Sequence, residues 1–420
     1  MNVRANALAV DLRRVNRGAL LRLLFLEGPL DRVRLGRMTG LSSATVTNFV
    51  GSLLDEGVII EVGREQSEGG RPRVLVCVNP DHGSVIGVEI GETGIRVEGF
   101  DLNMHVLDVE GVALHPQDHH PTVAISETAS AIQRLETRLT AAGKPVLGVG
   151  VAVPGMVEHR AGDARVHAPN IGWRDVALET QLRESTEGPF FIENGAKALG
   201  QAEMWLGAGK GSRHTFVTLW GTGVGAAIFT DGSLYRGASS SAGEWGHTCI
   251  VAGGNKCRCG SSGCLEAYIG AESLLGEWRR RDPSAVPGFD ADDEEWGRRL
   301  VEAARSDDAA AETLDEAALY FGIALANVAN LLNPELILIS GWLGLALGPI
   351  TLERIREVVR EHALDYTASG ARIELGSFQE DAVALGAASL VIDEMLTNGG
   401  VVPTMSGASQ RAPLTRARRR

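Results

Sequence analysis

Residues 244–266 constrain this chain more than any other stretch, because one imidazole and three thiols fall within eighteen positions: His247, Cys257, Cys259 and Cys264. Three sulfurs and one nitrogen form a complete tetrahedral ligand set for zinc. Four protein ligands close the coordination sphere, so the expected ion is structural, one per chain, rather than catalytic. Three of the five cysteines in 420 residues lie within eight positions. That clustering weighs against separate buried or disulfide-bonded cysteines beside an unrelated histidine. Gly260 and Gly263 allow the tight backbone that lets Cys259 and Cys264 face one ion. Cys77 and Cys249 read as free thiols or small core residues, and the sparse cysteine usage fits a reducing cytoplasm. Glu244 and Glu266 flank the cluster. Carboxylates held rigidly beside a metal-bound histidine suit a hydroxyl-rich ligand, although solvated surface carboxylates remain the alternative on chemistry alone.

The net charge of −13 is unevenly spread. Residues 1–80 hold eleven arginines against eight acidic side chains, and the last ten residues hold five more arginines. A mildly basic head on an acidic body points to the head as the part that approaches a polyanion. No apolar run reaches the roughly twenty residues a membrane helix needs. Residues 20–26 are interrupted by Arg22 and lack a following small-residue cleavage site, so no signal peptide is expected.

Within the head, residues 15–26 have helical apolar spacing and stop at Gly28-Pro29. A short helix over 31–38 follows, then a glycine turn at Thr39-Gly40-Leu41, then a third helix capped by Ser42 and closing at Gly57. This is a helix-turn-helix order. Ser42, Ser43, Thr45, Thr47 and Asn48 are the short polar side chains expected to meet base edges and phosphates. The β-rich runs 58–62 and 74–78 make a wing, whose turn Gly69-Gly70-Arg71-Pro72-Arg73 suits a narrow minor groove through Arg71 and Arg73. A three-helix protein-interaction module with a solvated loop is the alternative.

The body predicts strands at 85–90, 95–100 and 105–112, a helix at 122–142 and a buried strand at 146–153. A strand at 190–193 and a helix at 195–206 follow. Strands at 216–220 and 225–229 repeat the first pattern, and 336–340 and 382–396 complete it as strand and helix. Two such halves facing a cleft make an α/β, actin/hexokinase-like two-lobe architecture behind an N-terminal winged helix-turn-helix. The expected limits are 1–80 for the head and 81–396 for the body. Within the body, a smaller lobe spans about 81–190 plus the C-terminal helix, and a larger lobe about 191–384. Residues 397–420 are expected to be a disordered basic tail.

The motif Glu244-x-Gly-His247 with Cys257-x-Cys259-Gly-x-x-Gly-Cys264-x-Glu266 resembles the signature of the repressor–open reading frame–kinase (ROK) family, and the similarity runs over nearly the whole chain. The wing's Gly-Gly-Arg-Pro resembles the regulators of that family. The resemblance implies that the histidine and cysteines hold zinc and that Gly155, Asn170, Asn194, Glu244, His247 and Glu266 form a sugar site. The family's kinases carry Asp-x-Gly-Gly-Thr in the first phosphate loop, where this chain has Glu89-Ile-Gly91-Glu92-Thr93. The second loop, Gly221-Thr222-Gly223-Val-Gly225, matches well. Trp342 stands in the expected adenosine loop, and Gly195 replaces the aspartate that serves as general base. Losing that base costs about 10²- to 10⁴-fold in rate. The resemblance therefore implies a non-enzymatic, cytoplasmic repressor of sugar-utilisation or carbon-control genes. It would bind operator DNA as a homodimer or homotetramer and respond to a sugar or sugar phosphate. An active sugar kinase carrying a DNA-binding head is the alternative, and a regulator steered by a protein partner is a third reading.

Overall fold

Three helices and two side-chain caps set the head. In the computed structural model, which describes residues 2–66, 72–114, 119–160, 163–284, 293–378 and 382–403, α1 (Asn2–Glu27) runs into β1 (Leu30–Asp31). The Asp31 carboxylate accepts from the Val33 and Arg34 amides and so starts α2 (Arg32–Thr39). Gly40 ends α2 at φ 70°, a left-handed conformation that glycine reaches without steric cost. Ser42 then caps α3 (Ser43–Asp55) by accepting from the Thr45 amide. β2 (Ile59–Glu65) and β3 (Arg73–Val78) pair antiparallel, with β1 on the far side of β3. Three helices and a small sheet are the winged helix-turn-helix expected from the sequence.

The body opens with β4 (Ser84–Ile90), β5 (Gly94–Asp101) and β6 (Val106–Ala113), an antiparallel meander, followed by α4 (Pro121–Ala141) and β7 (Val146–Val153). A side sheet comes next, made of β8 (Met156–Arg160), β9 (Asp163–Ala168) and β10 (Trp173–Ala177). It leads to α5 (Leu178–Arg183), β11 (Phe190–Asn194) and α6 (Gly195–Leu206). The second half has β12 (Thr215–Trp220), β13 (Val224–Thr230) and β14 (Ser233–Leu234), then α7 (Glu266–Ile269) and α8 (Ala271–Arg281). It continues with α9 (Asp293–Ala303), α10 (Asp308–Leu332), β15 (Leu336–Ser340), α11 (Trp342–His362), α12 (Asp365–Gly370), β16 (Arg372–Leu375) and α13 (Ala382–Thr397).

The two main sheets have one topology. Their orders are β11-β7-β4-β5-β6 and β14-β13-β12-β15-β16, so in each a three-strand meander is extended by two parallel strands beside its first member. The parallel strands β7 and β15 read as unbroken apolar runs because helices cover both faces of the sheet. The side sheet β8-β10 and strand β16 were not expected; they are short and carry alternating polar residues, a weak signal.

α13 closes the body from its end. An added Cβ at Gly87 would lie 2.0 Å from the Ala384 carbonyl oxygen, and one at Gly150 only 1.8 Å from that of Ala387. On its other side, a Cβ at Gly386 would lie 1.9 Å from the Ala198 carbonyl oxygen of α6. Backbone therefore meets backbone across both interfaces, and α13 is buried nearly all round.

The head shares a core with the body. One buried cluster includes Leu20 and Leu24 of α1, Val391 and Met395 of α13, and Trp205 of α6. Phe25 meets Trp205 edge-on at 5.6 Å, the Arg22 guanidinium lies 4.9 Å over the same indole, and Arg22 also pairs with Asp393. Arg17 donates to Ser52 of α3, to Glu56 at its C-terminal cap and to the Gly399 carbonyl, and it holds the Glu56 carboxyl down at about 2. Residues 397–400 thus depart from the expected irregular tail. Thr397 still belongs to α13, and the Gly399 and Gly400 amides close its last turn on Leu396 and Met395. Residues 404–420, with the arginine cluster, lie outside the described residues.

Candidate functional site

The sequence's His/Cys set comes together. A 3₁₀ turn, Trp245–His247, presents His247, and the loop before α7 presents the thiols. The ligand atoms of His247, Cys257, Cys259 and Cys264 all lie within 4.8 Å of one another. Cys259 Sγ and Cys264 Sγ are 3.7 Å apart, and Cys257 Sγ is 3.6 Å from His247 Nδ1. Metal–sulfur bonds of about 2.3 Å in a tetrahedron give ligand–ligand edges of about 3.8 Å, so these separations fit an ion at the centre. They exclude a disulfide, whose sulfurs sit about 2.05 Å apart. Gly263 makes the approach possible: at φ 78° its missing Cβ leaves room for the Val251 carbonyl oxygen, 1.8 Å from where that atom would be. Burial pushes the Cys257 thiol up to about 12, so a bound ion has to displace its proton. Cys249 is a free, exposed thiol outside the cluster.

Beside this cluster lies a cavity of about 500 Å³, between the ends of β4, β7 and β11 on one side and β12, β13 and the cysteine loop on the other. That is within the roughly 300–1,000 Å³ of small-molecule sites. All six residues of the expected sugar set line it: Gly155, Asn170, Asn194, Glu244, His247 and Glu266. Asn194 does two local jobs. Its Nδ2 donates to the Gly155 carbonyl at 2.7 Å, and its Oδ1 accepts from the Lys197 amide at 3.2 Å as the cap of α6. One N–H of the amide is left for a ligand. The Glu244 carboxylate accepts no hydrogen bond among the described residues, and burial raises its pKa while His247 and Lys197 hold it down. Glu266 is already engaged, accepting from the Val224 amide at 3.0 Å and lying 3.5 Å from Arg258.

The kinase-side positions are filled by side chains. The Gly91 amide bonds to the Gly94 carbonyl, making the β4–β5 turn tight and projecting Glu92 over the cleft. Glu92 accepts from Arg258 Nη1 and from Asn170 Nδ2, both at 2.6 Å. The Trp342 indole lies against the second glycine loop, with Nε1 2.9 Å from where a Cβ of Gly221 would stand, and against Gly297 of α9. At residue 195 an added Cβ would find only ordinary contacts, the Val153 carbonyl oxygen at 3.7 Å and Val383 at 3.8 Å. A carboxylate there is missing by sequence, not for lack of room.

Charged groups missed from the sequence support the floor of the cavity. Buried Glu193 accepts from Arg236 at 2.7 Å and from the Asn194 amide at 3.0 Å, and buried Lys197 donates to the Ser240 carbonyl. Arg258 could have been noticed as a cation placed between Cys257 and Cys259 of the clustered thiols; Arg236 and Lys197 gave no signal beyond their charge.

Glu89 ends β4 at the cavity, and burial pushes its carboxyl up to about 7 from an ordinary 4.5, with Arg96 opposing and Glu98 adding. Because the folded state holds that proton more tightly than the unfolded chain, Glu89 costs nothing at low pH. Its penalty grows as pH rises from 4.5 to 7 and is full above that. Glu89→Gln is therefore expected to raise Tm at about pH 8 and leave it unchanged at about pH 4. Melting curves at both values check this, and equal shifts at the two would contradict it.

In the head, Ser42, Ser43, Thr47 and Asn48 are exposed at the start of α3, while Thr45 is half-buried with its hydroxyl 2.8 Å from that of Ser42. Ser42 and Thr45 are thus committed first to the cap. Arg73 is exposed and lies 3.7 Å from Asp31. Arg71 lies outside the described residues. Among the described residues no helix is long and apolar enough to cross a membrane.

Residues 85–394 match the ROK family model. The chain is 30% identical to the xylose repressor of Caldicellulosiruptor bescii over 393 residues, covering 92% of this chain and 97% of that one. It is 33% identical to a glucokinase of Halalkalibacterium halodurans over 316 residues, covering 73% of this chain and 94% of the kinase. The crystal structure of a ROK family transcriptional regulator, a homolog of the E. coli MLC protein, superposes with a TM-score of 0.78 at 24% identity, covering 93% of this chain and 98% of that one.

Proposed function

This chain belongs to the ROK family, and we propose that it is a non-enzymatic transcriptional repressor of sugar-utilisation genes whose operator binding is modulated by a sugar held in the cleft. The observation that carries this is the cavity itself: all six residues of the expected sugar set line it, while Glu92 and Trp342 project into it from the positions of the first phosphate loop and the adenosine loop. A match covering 92% of the chain must extend into the first eighty residues, whereas one covering 73% need not. That supports a regulator over a kinase.

In this reading Asn194, with its remaining N–H, Glu244, His247, Glu266 and Asn170 bind sugar hydroxyls, and Gly155 lets the backbone approach the ring. Gly195 has no side chain to take a proton from a hydroxyl, so the sugar is bound and released unchanged. The four metal-site residues fit zinc, three thiolates and one imidazole at tetrahedral spacing. The ion would supply a rigid anchor for the loop carrying Glu266 and Arg258 and for the turn carrying His247. Ser43, Thr47 and Asn48 would meet base edges, with Ser42, Thr45, Arg71 and Arg73 on phosphates and the minor groove. Paired half-sites call for a homodimer or a dimer of dimers in the cytoplasm. α6 begins in the cavity at its Asn194 cap and carries Trp205 against Arg22 and Phe25 of α1, a packed connection from ligand to head.

Footprinting of genomic DNA with the purified chain, repeated with a panel of sugars, tests the proposal. A discrete protected site beside sugar transport or catabolic genes, lost with one sugar, is expected. Sugar-dependent release of ADP at about 1 s⁻¹ or faster would instead make the chain a kinase.

A further inference from the structure

The cavity carries its own anion. Glu92 reaches from the β4–β5 turn of the first sheet to Arg258 in the cysteine loop of the second half, and both of its oxygens are held, one by Arg258 and one by Asn170. The pair sits directly over the second glycine loop: the position of a Cβ on Gly223 would be 3.2 Å from Glu266, 3.6 Å from Arg258 and 4.0 Å from Glu92. Arg258 is thereby shared among two carboxylates and the Thr222 carbonyl.

Arg258 is the only Lys or Arg lining the cavity among the described residues, since Arg236 and Lys197 lie behind the lining on Glu193 and the Ser240 carbonyl; it pairs with Glu92 and Glu266 and shares the wall with two further acidic side chains, Glu89 and Glu244. A divalent ion on three thiolates leaves a net negative charge, so the metal site adds no attraction for an anion. We infer that the Glu92–Arg258 pair is a specificity determinant that occupies the phosphate side of the cleft and makes the effector an uncharged, unphosphorylated sugar. This rests on the sugar-sensor reading above and narrows its ligand class. A phosphate ester entering the cleft meets like charge at Glu92 and finds the one guanidinium already spoken for, which weakens binding at close range in a site of low dielectric. A neutral sugar needs only hydrogen bonds, and Glu244, the free N–H of Asn194 and the outer lone pairs of Glu266 supply them.

The test is calorimetric titration of the full chain with glucose, xylose and N-acetylglucosamine, and with glucose 6-phosphate and N-acetylglucosamine 6-phosphate. The wild-type chain is expected to bind one of the free sugars and to bind a 6-phosphate at least about tenfold more weakly, or not at all. Glu92→Gln keeps the hydrogen bond from Asn170 but removes the charge, so it is expected to raise affinity for the 6-phosphates about tenfold or more while leaving the free sugars within about twofold. Adding Arg258→Met to Glu92→Gln should abolish that gain. Tighter wild-type binding of a 6-phosphate than of any free sugar would overturn the inference and leave the sensor reading standing. So would an unchanged response to phosphate esters in a folded Glu92→Gln chain. Binding of none of the five would remove both.

Discussion

Cys257→Ser is expected to lose the metal, lower the melting temperature and uncouple the sugar from the DNA-binding head in one step. The serine hydroxyl is a poor zinc ligand, and the remaining three donors cannot close a tetrahedron. Structural zinc in small peptides is worth about 10–16 kcal/mol of folding. Here the ion would anchor one loop of a large body, so a cost of about 3 kcal/mol, or roughly 5 °C in Tm, is the expected scale. The loop also carries Arg258 and Glu266, two walls of the cavity, so sugar affinity should fall with it. Cys249→Ser is the control: Cys249 is exposed, lies outside the ligand group and should keep the ion. Metal content by mass spectrometry and a melting curve check both variants. Unchanged zinc stoichiometry in Cys257→Ser would contradict the ligand assignment.

Gly150→Ala is expected to be at least as damaging to stability, although it adds a single methyl group. That methyl would stand 1.8 Å from the Ala387 carbonyl oxygen and 2.4 Å from its carbon, backbone atoms that no side-chain rotation can move. β7 and α13 must separate, and α13 also backs onto α6 and carries α1 of the head. Overpacking of this kind costs about 1–3 kcal/mol where side chains can yield and more where they cannot, so about 3–5 kcal/mol is expected, with operator binding impaired in the same variant. Gly276→Ala in α8 is the counterpart, since nothing lies within 4 Å of its Cβ position. It should be neutral or stabilising by up to about 1 kcal/mol. Chemical denaturation of the two variants separates steric crowding from loss of glycine as such; equal stability would contradict the packing described for α13.

How much of this could be seen in the sequence follows from the range of the forces involved. The strands β7 and β15 and helix α6 were legible to the residue because their signals are local: unbroken apolar runs and a capping asparagine. The convergence of His247, Cys257, Cys259 and Cys264 was legible because they sit within eighteen positions. The capping role of Ser42 and the glycine turn before it were legible for the same reason. What was not legible depends on chain closure. Glu92 and Arg258 meet across 166 positions, and Arg22 and Asp393 across 371. The sequence showed a carboxylate in a phosphate loop but not the partner that holds it there. Likewise the docking of the head on α13 and α6 arises from apolar faces whose complementarity appears only after both have folded. Residues 397–400 were grouped with a tail because 397–420 lacks apolar periodicity and is rich in Gly, Ser, Pro and Thr; they are the closing turn of α13.

The coupling between cleft and head is tested most directly by measuring sugar affinity twice, on the free chain and on the chain saturated with its operator. Linkage requires operator DNA to weaken sugar binding by the same factor by which the sugar weakens operator binding, on the order of 5- to 150-fold. Matching factors are the expected result; a sugar dissociation constant that is identical with and without DNA would contradict the account.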